Sequence, residues 1–585
     1  MRKGTSAVRE KLSAEQIKER VLRAAGKKEI DLCLKNTFVV NVLSGEIHKA
    51  DIGVHDGKFV GFGHYEAREY RDLAGAFVCP GLIDAHVHIE SSMLIPEQFA
   101  CAVVPRGTTA VVADPHEIAN VCGTAGIQYM LAAATNTPLR VFYMLPSCVP
   151  ASSFETSGAR ITAQDMGQFW GDPRIIGLAE VMDYPAVLSA HEVMLQKIAI
   201  ADGRPVDGHA PGLNGLGLAA YASAGIGSDH ECTEPEEVWE KLRCGLRVML
   251  RQGTAAKNLL DLLPVINKHN SRRCLLASDD RNLLDIIEEG HIDYMVRLAC
   301  HNGLDFITAV QMATINSAEW FGLKSMGAIA PGYVADFIIF EEVSNFRPRE
   351  VYIGGQMVAR DGKPLFTTIC ADFADVRSTV RLSLSAEELQ HRLRVPDKGG
   401  PVQVIGVLPG QIYTKKLRME LPVQDNLLCP DQEQDVAKLV VIERHRGKNS
   451  LGAGFVKGLG LRRGAIAATV AHDSHNLIAA GMSDKDIIKA ILTLAQAGGG
   501  LCTVCDERVI GLVELPVAGL MSELPVEKFY KLLLNLHKST GSLGLSGNRD
   551  PFMILSFLAL PVIPELRLTD LGLVDVLNQK LIDLQ

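Results

Sequence analysis

A chain of 585 residues is too long for one hydrophobic core and suggests roughly two to four domains. Hydrophobic residues make up 47% and charged residues 22%, the balance of an ordinary soluble globular protein. Lysine and arginine number 59 against 68 acidic residues, a formal net charge of -9, with neither the basic excess nor the basic stripe that a nucleic-acid partner requires.

Residues 1–29 are charged throughout and lack an apolar h-region, so they read as an amphipathic helical extension and not as a signal peptide. No stretch approaches the ~18 uninterrupted apolar residues of a membrane span. The 13 cysteines follow no framework spacing and are expected as reduced thiols of a cytoplasmic protein. The one close pair, Cys502 and Cys505, is a weak CxxC signal for redox or metal duty.

Residues 30–79 predict short strands and turns, with a type I′ hairpin at Asp56-Gly57 in DIGVHDGKFVGFG. Similar material returns in GAIAPGYVADFIIF and VYIGGQMVARDGKP. The expected arrangement is one small β-sandwich domain, 30–79 plus 326–379, interrupted by a large insertion.

The insertion, residues 80–325, alternates apolar runs that end in polar residues with stretches of helical pattern. Eight such runs stand out: 81–88, 108–114, 140–147, 174–181, 205–210, 225–231, 247–253 and 274–280. This predicts an α/β architecture, a TIM-like (β/α)8 barrel whose chemistry sits at the C-terminal ends of its strands. From 380 to 585 strand patterns and amphipathic helices predict a separate α+β domain.

Polar residues at the run ends form a pattern of their own. His86 and His88 close the first run in PGLIDAHVH, two apart and therefore on one face of a strand. Glu180 closes the fourth run, His209 the fifth, His230 the sixth and Asp279 the eighth. Each alone reads as a strand-end hydrogen-bonding residue. Together they suit Zn, Fe or Mn.

PGLIDAHVHIESSM, VVADPHEIANVCG, GLAEVMDYP, GHAPGL and AHDSHN together resemble the bacterial adenine deaminases of the amidohydrolase superfamily, over nearly the whole chain. The resemblance implies hydrolytic deamination of free adenine to hypoxanthine and ammonia, with a metal-activated hydroxide attacking C6. It also implies a binuclear centre, with Mn2+ or Fe2+ favoured and Zn2+ as an alternative. By the same resemblance His86, His88 and Asp279 hold one ion, His209 and His230 the other, and Glu180 bridges them. Asp279, Glu180 and His230 make up the catalytic set, Asp279 as proton shuttle. Glu90, Ser91, Ser92, His116 and Glu117 are candidates to contact the purine. The competing readings are capping by the serines and an Asp114-Pro115 helix start. His472, Asp473 and His475 either close the active site, hold a further metal or cap a local helix.

Many superfamily members bridge their metals with a carboxylated lysine, and Glu180 at that position argues against a hydantoinase-like enzyme. A barrel that had lost activity and served as a scaffold would lack metal ligands, and all six are present here. The PCxxC zinc site of the nucleic-acid deaminases is absent, which favours a free base as substrate. No nucleic-acid or membrane partner is expected, and an enzyme of this kind is commonly a homo-oligomer.

Overall fold

In the computed structural model, which describes residues 12–371, 373–409, 411–545 and 550–585, all eight apolar runs are short strands. They are β1 (Leu82–Val87), β2 (Thr108–Ala113), β3 (Arg140–Leu145), β4 (Ile175–Val181), β5 (Val206–Gly208), β6 (Ser228–Asp229), β7 (Arg247–Arg251) and β8 (Cys274–Ala277). Strands β1 to β5 pair in sequence as one parallel sheet, and β6 to β8 as another. Parallel strands buried on both faces read as unbroken apolar runs, which is why these segments were visible in the sequence.

Two seams join the sheets into a TIM-barrel-like ring. At one, the Gly227 N–H donates to the Val206 carbonyl at 3.0 Å. The approach is close: a Cβ on Gly208 would lie 2.6 Å from the Ser228 carbonyl oxygen, so the DGH motif needs its glycine. At the other seam the Asp279 N–H donates to the His86 carbonyl at 3.0 Å. Buried Asp84 pins this side, accepting from the Ser278 N–H at 3.0 Å and the Ser278 hydroxyl at 2.5 Å, with His291 Nε2 at 3.2 Å.

The flanking β material is hydrogen-bonded as one nine-stranded sheet instead of the two separately bonded layers of a sandwich. The reason lies in the long strand Ile30–Asn41, whose pairing slips between Leu34 and Thr37. There Asn36 adopts φ 55°, so the first half pairs Ala67–Asp72 and the second half pairs Phe77–Pro80. Asp56 and Gly57 both have positive φ, 48° and 69°, as the hairpin between Glu46–His55 and Lys58–Phe62 requires. Strands Phe337–Phe340, Glu350–Ile353, Gln356–Arg360 and Lys363–Pro364 complete the sheet from beyond the barrel.

Before that sheet, helix Ala14–Ala24 starts at a Ser13–Gln16 capping box and buries none of its residues. The rest of the predicted extension, residues 1–11, lies outside the described residues. The C-terminal part is built on an eight-stranded sheet backed by helix Asp484–Ala497, with helix Val526–Gly541 against its last strand pair and the three-stranded sheet Leu566–Ile582 beyond. Two adjacent strands, Ala465–Ala468 and Leu477–Gly481, are joined by the loop that carries AHDSHN. Cys502 is buried in a strand and its thiol is pushed up to about 12 by burial, the environment of a packing residue. Among the described residues no helix is long and apolar enough to cross a membrane.

Removing the Asp84 carboxylate should leave the Ser278 donors buried without acceptors. Asp84→Ala is expected to lose roughly 2–4 kcal/mol of stability. Urea unfolding of the metal-free protein measures this, and an unchanged midpoint would contradict the pinned seam.

Candidate metal centre and active site

The strand ends of the ring converge on one buried cluster. Nε2 of His86 and Nε2 of His88 lie 3.1 Å apart. His86 Nδ1 is 2.9 Å from Asp207 Oδ2, a carboxylate that accepts. His88 Nδ1 is 3.1 Å from the Asp114 carbonyl oxygen, which can only accept. Both rings therefore carry a proton on Nδ1, which leaves the two Nε2 atoms as the positions open to a cation. This is the usual outer-shell arrangement of metal-ligating histidines. Burial and His116 lower the His88 pKa, but Asp279 and Glu180, each 3.2 Å from its Nε2, raise it well above the ordinary range, so this position favours positive charge.

Glu180 stands between two groups of nitrogens. Its Oε1 is 3.2 Å from His88 Nε2, and its Oε2 is 2.5 Å from His209 Nδ1 and 3.2 Å from His230 Nε2. Burial alone would raise its pKa, but the His209 and His230 imidazoles hold the carboxyl well below its ordinary range. Asp279, in the left-handed region at φ 54°, turns Oδ1 to within 3.2 Å of His88 Nε2. Its Oδ2 accepts from Arg251 Nη1 at 2.9 Å. Against the effect of burial, His88 and Arg251 keep Asp279 ionised, well below the usual carboxylate range. All six strand-end residues singled out in the sequence thus meet within one buried cluster.

The walls of the cluster contain residues that sequence reasoning passed over. Asp207 orients His86 and lies 3.6 Å from His230 Nδ1. Glu231 approaches His209 Nδ1 at 3.7 Å and is ion-paired with Arg251. Asp280 also lines the cavity. The signal was present in strand parity: Asp207 precedes His209 by two residues, and Arg251 ends the seventh apolar run. The lining carries six carboxylates (Glu117, Glu180, Glu231, Asp279, Asp280, Asp473) and one guanidinium, Arg251. Buried carboxylates grouped with imidazole nitrogens form a donor set that fits divalent cations.

The other anticipated residues fall into two groups. Glu90, Ser91 and Ser92 form a buried turn and are not among those lining the cavity. Glu90 accepts from the Ile118 N–H at 3.2 Å, Ser91 donates to Asp280, and Ser92 accepts from the Leu94 N–H at 3.2 Å. His116 and Glu117 do line it. The helix they open begins at His116, one residue later than an Asp114 N-cap with Pro115 at N1 would place it. The Asp114 carboxylate still serves that end, accepting from the His116 N–H at 3.0 Å and from His116 Nδ1 at 2.9 Å.

The AHDSHN loop reaches into the same cavity from the C-terminal part. The Ala471 N–H donates to His475 Nδ1 at 3.1 Å, so the ring proton sits on Nε2, which donates to Glu117 Oε2. His472 Nδ1 meets Glu117 Oε1 at 2.7 Å. Although burial lowers the His472 pKa, Glu117 and Asp280 push it up to about 9. Glu117 is thereby gripped through both oxygens by imidazole donors from another part of the chain.

Because Asp207 fixes the ring of His86, Asp207→Ala should weaken metal retention by about 10–100-fold while the six ligands stay in place. Metal content after titration with a chelator checks this. Unchanged retention would show that His86 needs no orienting partner.

Comparison with known proteins agrees with this geometry. The amidohydrolase family matches residues 77–358, and the adenine deaminase C-terminal domain matches residues 411–580. Adenine deaminase 2 of Carboxydothermus hydrogenoformans is 52% identical over 560 residues, spanning 96% of this chain and 98% of its own. The adenine deaminase of Desulfatibacillum aliphaticivorans is 45% identical, spanning 96% of this chain and 98% of its own. That of Geobacillus kaustophilus is 45% identical across 95% and 97%. With strand-end ligands, a C-terminal domain that completes the cavity, and relatives matched from end to end, the chain belongs to the adenine deaminase family of the amidohydrolases.

Proposed function

We propose that this protein hydrolyses free adenine to hypoxanthine and ammonia at the cluster around Glu180. The observation that carries the reading is the pair of facing Nε2 atoms of His86 and His88, beside a carboxylate shared with His209 and His230. The relatives named above are adenine deaminases, and they match this chain over nearly its full length. In this reading residues 80–325 are the catalytic (β/α)8 barrel, 30–79 with 326–379 the β domain it interrupts, and 380–585 the α+β domain, after an extension at 1–29. Thirteen free cysteines suit a cytoplasmic enzyme of purine metabolism.

His86, His88 and Asp279 would hold one divalent cation, His209 and His230 the other, with Glu180 between them. Nitrogen and oxygen donors of this kind suit Mn2+ or Fe2+, and also Zn2+. Such ions supply acidity, lowering the pKa of a ligated water from 15.7 toward ~7 in the zinc precedent.

The reaction adds the oxygen of water to C6, expels the exocyclic amine, and moves a proton from the water to the departing nitrogen. Asp279 is suited to carry that proton. Its Oδ2 is anchored by Arg251, while Oδ1 faces the cluster, ionised and ready to accept. Glu231 shares the Arg251 guanidinium and keeps that anchor in place. His472, protonated at neutral pH and with Nε2 unpartnered, can donate to a ring nitrogen of the purine. Glu117, held by His472 and His475, can accept from a purine N–H. The AHDSHN loop acts here to close the active site: the Ala471 N–H occupies the His475 lone pair that a third metal would need. Ile412, Phe557, Leu560 and Ile563 line the cavity with apolar surface, which excludes bulk water and strengthens the electrostatic contacts inside.

Hypoxanthine and ammonia release from adenine, measured on protein reconstituted with Mn2+, Fe2+ or Zn2+ in turn, tests the reading directly. Metal-dependent release is expected. Protein that holds two ions and releases neither product with any metal sinks it. Glu180→Gln should lose metal and turnover together, and full activity at normal metal content would refute the bridging role. Asp279→Asn, compared at equal metal loading, should lower kcat by about 10²–10⁴-fold. Turnover at the parent rate would remove Asp279 as proton carrier.

A further inference from the structure

The apolar roof of the catalytic cavity is assembled from separate parts of the C-terminal chain. Ile412 comes from the loop before Thr414–Met419, Phe557 from the end of helix Pro551–Phe557, and Ile563 from the segment before strand Leu566–Thr569. The Ile412 loop and the segment after Ile563 are joined by main-chain hydrogen bonds, from Thr414 N–H to the Pro564 carbonyl at 3.1 Å and from Glu565 N–H to the Thr414 carbonyl at 3.2 Å. All three segments meet at one buried side chain, Arg567.

Its guanidinium donates to four main-chain carbonyls: Nε to Ile563 at 2.8 Å, Nη1 to Phe557 at 3.0 Å, and Nη2 to Ile412 at 2.6 Å and Pro564 at 3.2 Å. Three of those four carbonyls belong to roof residues. Among the described residues no carboxylate pairs with Arg567, and burial pushes its pKa down to about 9. A buried cation without a counter-ion is costly, and hydrogen bonding to carbonyls offsets only part of that cost. What the fork-shaped guanidinium provides, and a lysine or an apolar residue cannot, is several donors at fixed angles to several strands of chain.

The roof also divides two cavities. On the inner side lies the space above the metal ligands, about 30 Å³, enough for a water or two. On the outer side lies a cavity of about 550 Å³, lined by Arg567 itself and sharing Ala255, Ile412 and Phe557 with the inner one. The Phe557 ring lies nearly parallel to His472, with centroids 4.6 Å apart and planes 16° apart. The helix carrying Phe557 is tied at its start as well, where Asp550 caps it and accepts from Asn282 of the barrel at 2.9 Å.

We propose that Arg567 is the positioning residue of this roof, and that Ile412 and Phe557, held by it, select a small planar 6-aminopurine over one with a further ring substituent. The outer cavity is the approach by which the purine reaches the partition. The inference rests on the deaminase reading and deepens it: the barrel supplies the chemistry, and Arg567 supplies the fit over the ring. Arg567 touches no reacting atom, so its effect should fall on binding.

The test compares adenine with 2,6-diaminopurine in the full-length, metal-loaded enzyme and in R567K, R567M, F557A and I412A, with metal content and near-UV circular dichroism recorded for each. In R567K and R567M the KM for adenine should rise about tenfold or more while kcat stays within about threefold. The preference for adenine in kcat/KM should narrow in the same variants. F557A and I412A keep the carbonyls that Arg567 binds, and should narrow the preference with Arg567 intact. In R567A, millimolar guanidinium should recover part of the lost affinity, a rescue that general loosening of the fold would not show. A folded, metal-loaded R567M with parental KM and preference overturns the proposal, as does loss of kcat at unchanged KM. Should the arginine variants not fold, F557A and I412A decide alone, and parental preference in both overturns it. Wild-type enzyme that holds its metals and turns over neither purine overturns the deaminase reading instead, an outcome distinct from an active wild type matched by its variants.

Discussion

Two imidazole nitrogens 3.1 Å apart, both directed at the same buried carboxylates, are the constraint around which this protein is built. They are kept facing because Asp207 and the Asp114 carbonyl occupy the other nitrogens of His86 and His88, the first from β5 across the ring and the second from just beyond the end of β2. The same demand explains the buried carboxylates. Six of them line the cavity together with Arg251 and the protonated His472, an excess of carboxylates over these two cations that added cations would relieve. The fold is therefore coupled to its metals: ions that bind only the assembled cluster stabilise the native state by mass action, and metal-free protein carries the repulsion uncompensated.

Such a cluster needs strands whose ends point to one place, and the barrel-like ring provides them. Hydrogen bonds at both seams and the buried Asp84 beneath the second one keep the ring closed where β1 meets β8. That seam lies directly below His86, His88 and Asp279, so local opening there would separate three members of the cluster. The left-handed backbone of Asp279 belongs to the same arrangement, since it turns the carboxylate between His88 and Arg251.

The ring and the six strand-end residues that meet in the cluster were legible in the sequence because both obey short-range rules. Buried parallel strands are apolar runs, and a polar residue that ends such a run lies at the rim. Asp207 and Arg251 were legible by the same parity and were passed over, because a charge next to an obvious ligand reads as ordinary rim polarity until its partner is seen. The flanking β strands on both sides of the insertion were visible as turn-rich segments, but their pairing as a single sheet depends on a slip at Asn36 that no apolar periodicity records. Arg567 was beyond the reach of the sequence. Its partners are main-chain carbonyls up to 155 residues away, and a carbonyl has no signature in the side chains. For Glu90 to Ser92, nearness to His88 in the chain suggested contact with substrate, and the structure engages them in a buried turn, with Ser91 on Asp280 of the cavity lining.

Glu117 shows why the C-terminal domain accompanies this barrel. A carboxylate in the first turn of a barrel helix has several rotamers, and one proposed to meet a substrate proton has to be held in one of them. From the barrel His116 Nε2 comes within 3.4 Å of its Oε1, and the nearer contacts come from the C-terminal domain. Both Glu117 oxygens are engaged by His472 and His475, and the ring of His475 is itself set by the Ala471 N–H, which fixes which nitrogen donates. The buried Arg444 donates to the carbonyl of His475 at 2.5 Å and to that of Ala518 at 3.0 Å, so the loop is anchored from beneath by a second cation that spans separate segments of chain. Order thus passes from the sheet of the C-terminal domain, through a loop and a tautomer, to a carboxylate on the barrel. A barrel expressed without that domain would keep its metal ligands in sequence and lose both the orientation of Glu117 and the apolar cover above it.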